Sequence, residues 1–133
     1  MLGAVVAGGV IGVALRELLL LPFGATSGAG ALALPTATMV VNVAGSFALG
    51  VVVGWLGERH PTARGFLGTG VLGGFTTYSA FAVQAVAMPS LWLAVGLAAV
   101  TVVFGVAGAV IGLFVGRRTA DTPGEIEPPE AAE

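Results

Sequence analysis

The chain has 133 residues, of which 56% are hydrophobic and 9% are charged, whereas soluble domains average roughly 45–50% apolar and about 25% charged residues. A single domain of this composition would present an apolar surface to water and no basic patch, which excludes a soluble enzyme and a nucleic-acid-binding protein. Five of the seven acidic residues lie in the last thirteen positions, so the net charge of −2 does not describe the body of the chain. The chain has no Cys and one His, which argues against disulfides, thiol chemistry and zinc sites.

Four stretches of the chain are long and apolar enough to be membrane spans, because about 20 residues cross a hydrocarbon core roughly 30 Å thick. They cover residues 2–21, 35–57, 65–88 and 91–116. The sequence therefore predicts an all-α, multi-pass membrane protein of the cell membrane, with a four-helix transmembrane unit over residues 1–116.

Polar or proline-containing segments separate these spans. Residues 22–28 and 58–61 are predicted to be loops. The very short segment 88–90 predicts that the third and fourth spans form an antiparallel helical hairpin. Residues 117–133 are rich in Pro, Glu and Asp and predict a disordered acidic tail.

In the first span, Gly8, Gly12 and Arg16 recur every fourth residue and so share one face of a helix. Small residues at this spacing allow close helix packing in lipid, and they need no chemical role. Arg16 is the only cation embedded in an apolar stretch. Its side chain could extend to the membrane–water interface, pair with Glu17, or take part directly in the function of the protein.

The second span carries one hydrogen-bonding stripe, formed by Thr38, Asn42 and Ser46 at intervals of four residues. Polar side chains inside a membrane usually face protein or water. Such a stripe either joins helices, at about 0.6–2 kcal/mol per hydrogen bond, or lines a pore. The residues alone leave both interpretations open.

The third span is predicted to be broken at mid-membrane. It places Gly73 and Gly74 next to the β-branched pair Thr76 and Thr77, all poor helix formers. A break leaves backbone carbonyls unpaired, which is tolerated in a membrane only where they are buried in protein or line a cavity, often with a bound ion.

Two aromatic residues follow the predicted break. Tyr78 and Phe81 are three positions apart and share a helix face. The positive edge of an aromatic ring can interact weakly with an anion. The alternative is ordinary packing against lipid or other side chains. In the fourth span, Thr101 precedes a stripe of small residues by one turn: Gly105, Gly108 and Gly112.

Three segments together resemble the Fluc (CrcB) family of fluoride channels. Residues 8–16 read GGVIGVALR and resemble the family's GGxxGaxxR opening, and residues 38–47 read TMVVNVAGSF and resemble TLxVNxxGSF. Residues 73–81 read GGFTTYSAF and resemble the GGxTTFSTF core, which is the most specific of the three. The resemblance covers about residues 3–116.

The resemblance implies two four-helix subunits in antiparallel orientation, two fluoride pathways and one sodium ion that is structural and not transported. The backbone carbonyls of Gly73 and Thr76 would hold the sodium, and Arg16 would lie near an entrance that draws anions in. The fluoride pathway would be lined by Asn42, Tyr78, Phe81, Thr38, Thr77, Ser79 and Thr101.

The chain departs from the family pattern at three positions. Tyr78 stands at a Phe position, Ala80 at a Thr position and Gln84 at a Glu position. The Tyr ring keeps its edge and adds a hydroxyl that could donate to fluoride or narrow the path. Ala80 removes a hydroxyl donor from the path.

The resulting hypothesis is passive, fluoride-selective efflux that relieves fluoride toxicity, with no catalytic residues. Several weak donors in series would replace the water that fluoride holds tightly. A small multidrug or cation exporter is one alternative, but it needs an embedded carboxylate, and Glu17 near a helix end is a poor candidate. A second alternative is a non-conducting subunit of a paired channel, or a membrane scaffold.

The distribution of basic residues bears on the assembly. Both termini share one side of a four-span protein, and that side carries four of the five basic residues: Arg59, Arg64, Arg117 and Arg118. The positive-inside rule then favours cytoplasmic termini. An antiparallel homodimer needs the same chain to insert in both orientations, which this bias disfavours. The alternative to the homodimer is therefore a heterodimer with an oppositely inserted paralogue.

Overall fold

The computed structural model describes residues 1–24, 32–58 and 60–120, and these residues form only helices and short connections. Four helical spans are long and apolar enough to cross a membrane, which confirms the predicted class of all-α membrane protein. They are α1 (Leu2–Gly24), α2 (Ala33–Leu56), a composite third span (Pro61–Val86) and a final helix, α6 (Leu91–Ala120).

The third span has two arms. Its first arm runs from Pro61 to Phe75 and comprises α3 (Pro61–Arg64), a π-helical segment (Gly65–Leu72) and α4 (Gly73–Phe75). Its second arm is α5 (Tyr78–Val86).

The predicted interruption of the third span is confirmed, and its position is now defined. Gly73 has helical dihedral angles (φ −66°, ψ −34°), and Gly74 lies within α4. The chain becomes extended only at Thr76 (φ −80°, ψ 148°) and Thr77 (φ −146°, ψ 121°). The helix therefore breaks at the two β-branched residues, after the glycine pair.

Two helices run further than the sequence predicted. α1 continues through Pro22 to Gly24, because a proline in the last turn removes only one N–H donor. α6 continues to Ala120, where Arg117 and Arg118 lie near the negative end of the helix and favour its extension. The remainder of the predicted first loop, Arg59 and the tail from residue 121 onward lie outside the described residues.

The other two connections are short. Pro61 is the first residue of α3 and not part of a loop, since its fixed φ suits the first position of a helix. Residues 87–90 are non-helical, and the two helices they join, α5 and α6, contact each other.

The helices pack mainly as two pairs, α1 with the first arm of the third span and α2 with α6. Glycines make both contacts close, as their spacing predicted. A Cβ at Gly8 would overlap the carbonyl oxygen of Phe66, and one at Gly112 would overlap that of Phe47. The pairs meet where α2 contacts the π-helical segment and α5.

Few side chains are fully enclosed within the described part of the chain. The buried hydrophobic residues are Leu20, Val41, Leu56, Phe81 and Ala94. Large apolar side chains along α1, α5 and α6 are exposed instead. This is the surface expected of a protein whose surroundings are lipid and neighbouring helices.

Candidate functional site

A polar groove lies beside the interruption of the third span. It has a volume of about 310 Å³ and is bounded by α2, the interrupted segment with α5, and α6. Its polar residues are Asn42, Ser46, Thr76, Thr77 and Thr101. Its apolar residues are Leu49, Tyr78, Phe81, Ala98 and Val102. A larger cleft of about 720 Å³ lies between α1 and α2. Thr36 is the only polar residue among the described residues that line it, and these offer few donors for an ion.

Asn42 holds the extended segment in place through two hydrogen bonds. Its Nδ2 donates to the carbonyl oxygen of Thr77 over 2.9 Å, and its Oδ1 accepts from the backbone N–H of Thr77 over 2.8 Å. The amide thus pairs with both backbone groups of one residue. Nδ2 carries a second N–H, so a donor remains for a group within the groove.

The contacts at the break release two backbone carbonyls of the third span. In a continuous helix, the N–H of Thr77 would donate to Gly73 and the N–H of Ala80 would donate to Thr76. Here the Thr77 N–H donates to Asn42, and the Ala80 N–H donates to the Thr77 hydroxyl over 3.2 Å. The released carbonyls belong to Gly73 and Thr76, the two residues to which the family resemblance assigns the sodium ion. Gly73 is also exposed on the surface of the subunit.

Thr77 forms the amino-terminal cap of α5. Its hydroxyl oxygen accepts from the Ala80 N–H, which satisfies one of the free donors at the helix start. The same hydroxyl lies 3.4 Å from that of Ser79. The first turn of α5, whose N–H groups carry partial positive charge, therefore begins at the wall of the groove.

Arg16 reaches the same break from α1. Its Nη1 donates to the carbonyl oxygen of Gly74 over 3.1 Å, and its Nε and Nη2 donate to Oε1 of Glu17 over 3.2 and 3.0 Å. The Arg16 side chain is 15% exposed, whereas that of Glu17 is 62% exposed. Within one subunit the guanidinium is thus paired and largely covered.

The two aromatic residues of α5 both line the groove but differ in exposure. Phe81 is 7% exposed, while Tyr78 is 85% exposed. Phe81 is therefore fixed by its own subunit. The Tyr78 ring is open on the surface of the chain.

Several threonine hydroxyls already donate to the backbone carbonyl four residues earlier. Thr38 donates to the carbonyl of Leu34 over 3.0 Å, Thr76 to that of Leu72 over 3.0 Å and Thr101 to that of Leu97 over 2.7 Å. An oxygen whose only proton is used in this way can accept a hydrogen bond but cannot donate one to an anion at the same time.

Most of the predicted pathway residues come together in the groove. Those that line it are Asn42, Thr77, Tyr78, Phe81 and Thr101. Thr38 is fully buried and does not line it. Ser79 does not line it either, although its hydroxyl lies 3.4 Å from that of Thr77, which does. Ser46 joins the lining although it was not named for the pathway; its place on the stripe one turn after Asn42 was the available signal.

Comparison with known proteins gives consistent matches over the membrane unit. Residues 3–113 match the family model described as CrcB-like protein, Camphor Resistance (CrcB). The chain is 46% identical over 91 residues to a protein from Hyphomonas neptunium named fluoride-specific ion channel FluC, which covers 63% of this chain and 72% of that protein.

Two longer matches carry the same name. A protein from Roseobacter denitrificans is 42% identical over 117 residues, covering 85% of this chain and 92% of the relative. A protein from Rhodospirillum centenum is 44% identical over 121 residues, covering 87% and 91%. The matches therefore extend over nearly the whole length of these relatives.

Proposed function

The chain belongs to the CrcB-like family, whose relatives are named fluoride-specific ion channels, and we propose on this basis that it lets fluoride leave the cell passively through the groove beside the broken third span. It is a fluoride channel that spans the membrane several times. We assign the fluoride pathway to this groove because Asn42, Thr77 and Phe81 lie together there, at the break.

The chemistry of the groove suits a small anion that binds water tightly. Conduction requires binding strong enough to replace hydration and weak enough to permit release. The second N–H of Asn42, the first turn of α5 and the ring edge of Phe81 offer partial positive charges. The groove lining contains no Lys or Arg among the described residues. Such a lining avoids the deep trap that a buried cation would create.

The exporter alternative finds no support. A proton-coupled exporter needs a carboxylate within the membrane. Among the described spans the only one is Glu17, whose side chain is 62% exposed and paired with Arg16. It does not line the groove.

Fluoride release from liposomes tests the proposed function. We expect vesicles that contain the purified protein to release fluoride down its gradient once potassium can carry the compensating charge, and to retain chloride. Vesicles without protein are the control. Fluoride retention by the protein-containing vesicles would refute conduction by this chain alone.

Exchanging the aromatic residues is expected to separate their roles. Phe81→Ile keeps an apolar side chain but removes the ring edge, so we expect fluoride flux to fall about tenfold, which corresponds to about 1.4 kcal/mol, within the range of aromatic-edge contacts. Tyr78→Phe keeps the edge and removes only the hydroxyl, so it should stay within about twofold of wild type. Equal flux in wild type and Phe81→Ile liposomes would contradict a direct role for this ring.

A structural sodium ion is proposed at the break, held by the carbonyl oxygens of Gly73 and Thr76. Hard cations prefer oxygen ligands, and both carbonyls have lost their helical donors. A bound sodium would supply positive charge to balance these carbonyls. The protein is expected not to carry it, so radioactive sodium trapped in the same liposomes should stay inside while fluoride leaves.

An antiparallel homodimer is the proposed assembly, with a heterodimer as its alternative. Gly73 and the Tyr78 ring, on either side of the break, are exposed on one subunit, and the carbonyls of Gly73 and Thr76 have lost their helical donors. A second subunit against this surface would exclude lipid from the polar backbone. The homodimer requires that the chain insert in both orientations.

The location of the carboxyl terminus distinguishes the two assemblies. A tag after residue 133 is predicted to be accessible from both sides of the cell membrane if the homodimer forms. The basic residues at the termini side, including Arg117 and Arg118, favour cytoplasmic termini. A tag found only in the cytoplasm would therefore favour a heterodimer whose other subunit is inverted.

A further inference from the structure

We infer that Arg16 is a positioning residue that caps the first arm of the third span and thereby sets the geometry of the break. This inference rests on the proposed function only for its effect on fluoride flux. Its structural part concerns the carbonyl of Gly74, which the guanidinium binds.

The end of the first arm lacks ordinary partners for its carbonyls. In a continuous helix the N–H of Tyr78 would donate to the carbonyl of Gly74. The chain turns to an extended conformation at Thr76 and Thr77, so this donor moves away. Nη1 of Arg16 provides a donor in its place, 58 residues away in sequence.

The charge of Arg16 also suits this position. The carboxyl end of a helix carries partial negative charge, and a nearby cation stabilises it. Hydrogen bonds to a charged group are stronger than neutral ones, and more so away from water. The Arg16 side chain is only 15% exposed, so its hydrogen bond to the Gly74 carbonyl is partly shielded from water.

Close packing of α1 brings Arg16 within reach. Gly12 lies one turn before Arg16, and a Cβ there would stand 2.8 Å from the backbone nitrogen of Phe75. A Cβ at Gly74 would stand 2.5 Å from the carbonyl oxygen of Gly9. The glycines therefore allow backbone contact between α1 and α4, and the guanidinium completes this contact.

Glu17 fixes the orientation of the guanidinium. Two of the three hydrogen bonds of Arg16 go to Oε1 of Glu17, which leaves Nη1 directed to Gly74. A planar guanidinium can hold both groups in fixed directions, whereas the ammonium of lysine is a point charge on a flexible stem. Arg16→Lys therefore keeps the charge and loses the geometry.

The test combines hydrogen exchange with fluoride flux for Arg16→Lys and Arg16→Gln. In both variants we expect exchange at the Thr77 and Ala80 amides to accelerate about tenfold or more, because losing a charge-assisted hydrogen bond eases local opening. Amides in the middle of α2 and α6 should be unchanged. Flux should fall about tenfold in both variants and at both low and high salt.

Arg64→Lys is the matched control. Nη1 of Arg64 also donates to a backbone carbonyl past a helix end, that of Gly57, over 3.2 Å, and neither residue lines the groove. We expect fluoride flux through the Arg64→Lys variant to equal that through the wild-type protein.

Two results would overturn the inference. If amide hydrogen exchange in the Arg16 variants accelerated in all helices, Arg16 would be an ordinary stabilising residue. Wild-type exchange and flux in Arg16→Lys, with a salt-dependent loss only in Arg16→Gln, would make it an electrostatic entrance residue. If wild-type protein itself passed no fluoride, the proposed function would fail, while the exchange data would still decide the role of Arg16.

Discussion

Replacing Asn42 with Ala is expected to lower fluoride flux about a hundredfold, the largest loss among the groove residues. The change removes two hydrogen bonds to the backbone of Thr77, which is 8% exposed. A buried donor or acceptor left unpaired costs about 1–3 kcal/mol. The extended segment would lose its support, and the groove would lose the amide N–H that remains for an anion.

Asn42→Asp is the informative companion to this variant. It has nearly the same shape and keeps an oxygen that accepts from the Thr77 N–H, but it has no N–H donor and adds a negative charge. We expect a similar loss of flux. Liposome flux is to be measured on protein shown by size-exclusion chromatography to have the wild-type oligomeric state. Wild-type flux in Asn42→Asp would contradict a role for the amide donor.

Replacing Gly74 with Ala is expected to abolish flux and to destabilise the subunit. The added Cβ would lie 2.5 Å from the carbonyl oxygen of Gly9, a backbone atom that no side-chain rotation can move. Overpacking of this kind costs about 1–3 kcal/mol, and here it also separates Arg16 from its carbonyl. Thermal unfolding in detergent should show a lowered midpoint.

Gly73→Ala provides the matched control one residue earlier. The nearest atom to a Cβ at this position is the carbonyl oxygen of Gly68, 3.8 Å away, which is ordinary contact. The isolated subunit should therefore keep its helices and its packing. If both variants unfolded at the same temperature, close contact with α1 would not explain the need for Gly74.

The sequence predicts the spans well because hydrophobicity is averaged over about 20 residues and does not depend on distant contacts. The hydrogen-bonding stripe on α2 and the weak helix formers of the third span are likewise local signals. The stripe predicted either a contact between helices or a pore lining at Asn42, and the weak helix formers predicted a break between Gly73 and Thr77. These local signals did not place the break at Thr76 and Thr77, since Gly73 and Gly74 are also poor helix formers and yet remain helical.

The partners at the break could not be predicted from local sequence. Asn42 contacts Thr77 across 35 residues and Arg16 contacts Gly74 across 58 residues. Both contacts depend on how the helices pack. Spacing placed Thr38 on the hydrogen-bonding stripe, and the family resemblance placed Thr101 on the fluoride pathway. Both hydroxyls instead donate to carbonyls of their own helices, an option open to any threonine in a helix.

The π-helical segment Gly65–Leu72 gives the third span more residues than α-helical turns would need for the same rotation about the axis. Its hydrogen bonds join residues five apart, whereas those of an α-helix join residues four apart. Deleting a single residue here would favour α-helical turns, and the following residues would keep nearly the same angular position, because an α-helix turns further per residue than a π-helix does. The carbonyls of Gly73 and Thr76 would then keep their direction about the helix axis. A one-residue gap in a related sequence at this segment should be interpreted as a loss of the π-helical turns, and not as a change of angular phase.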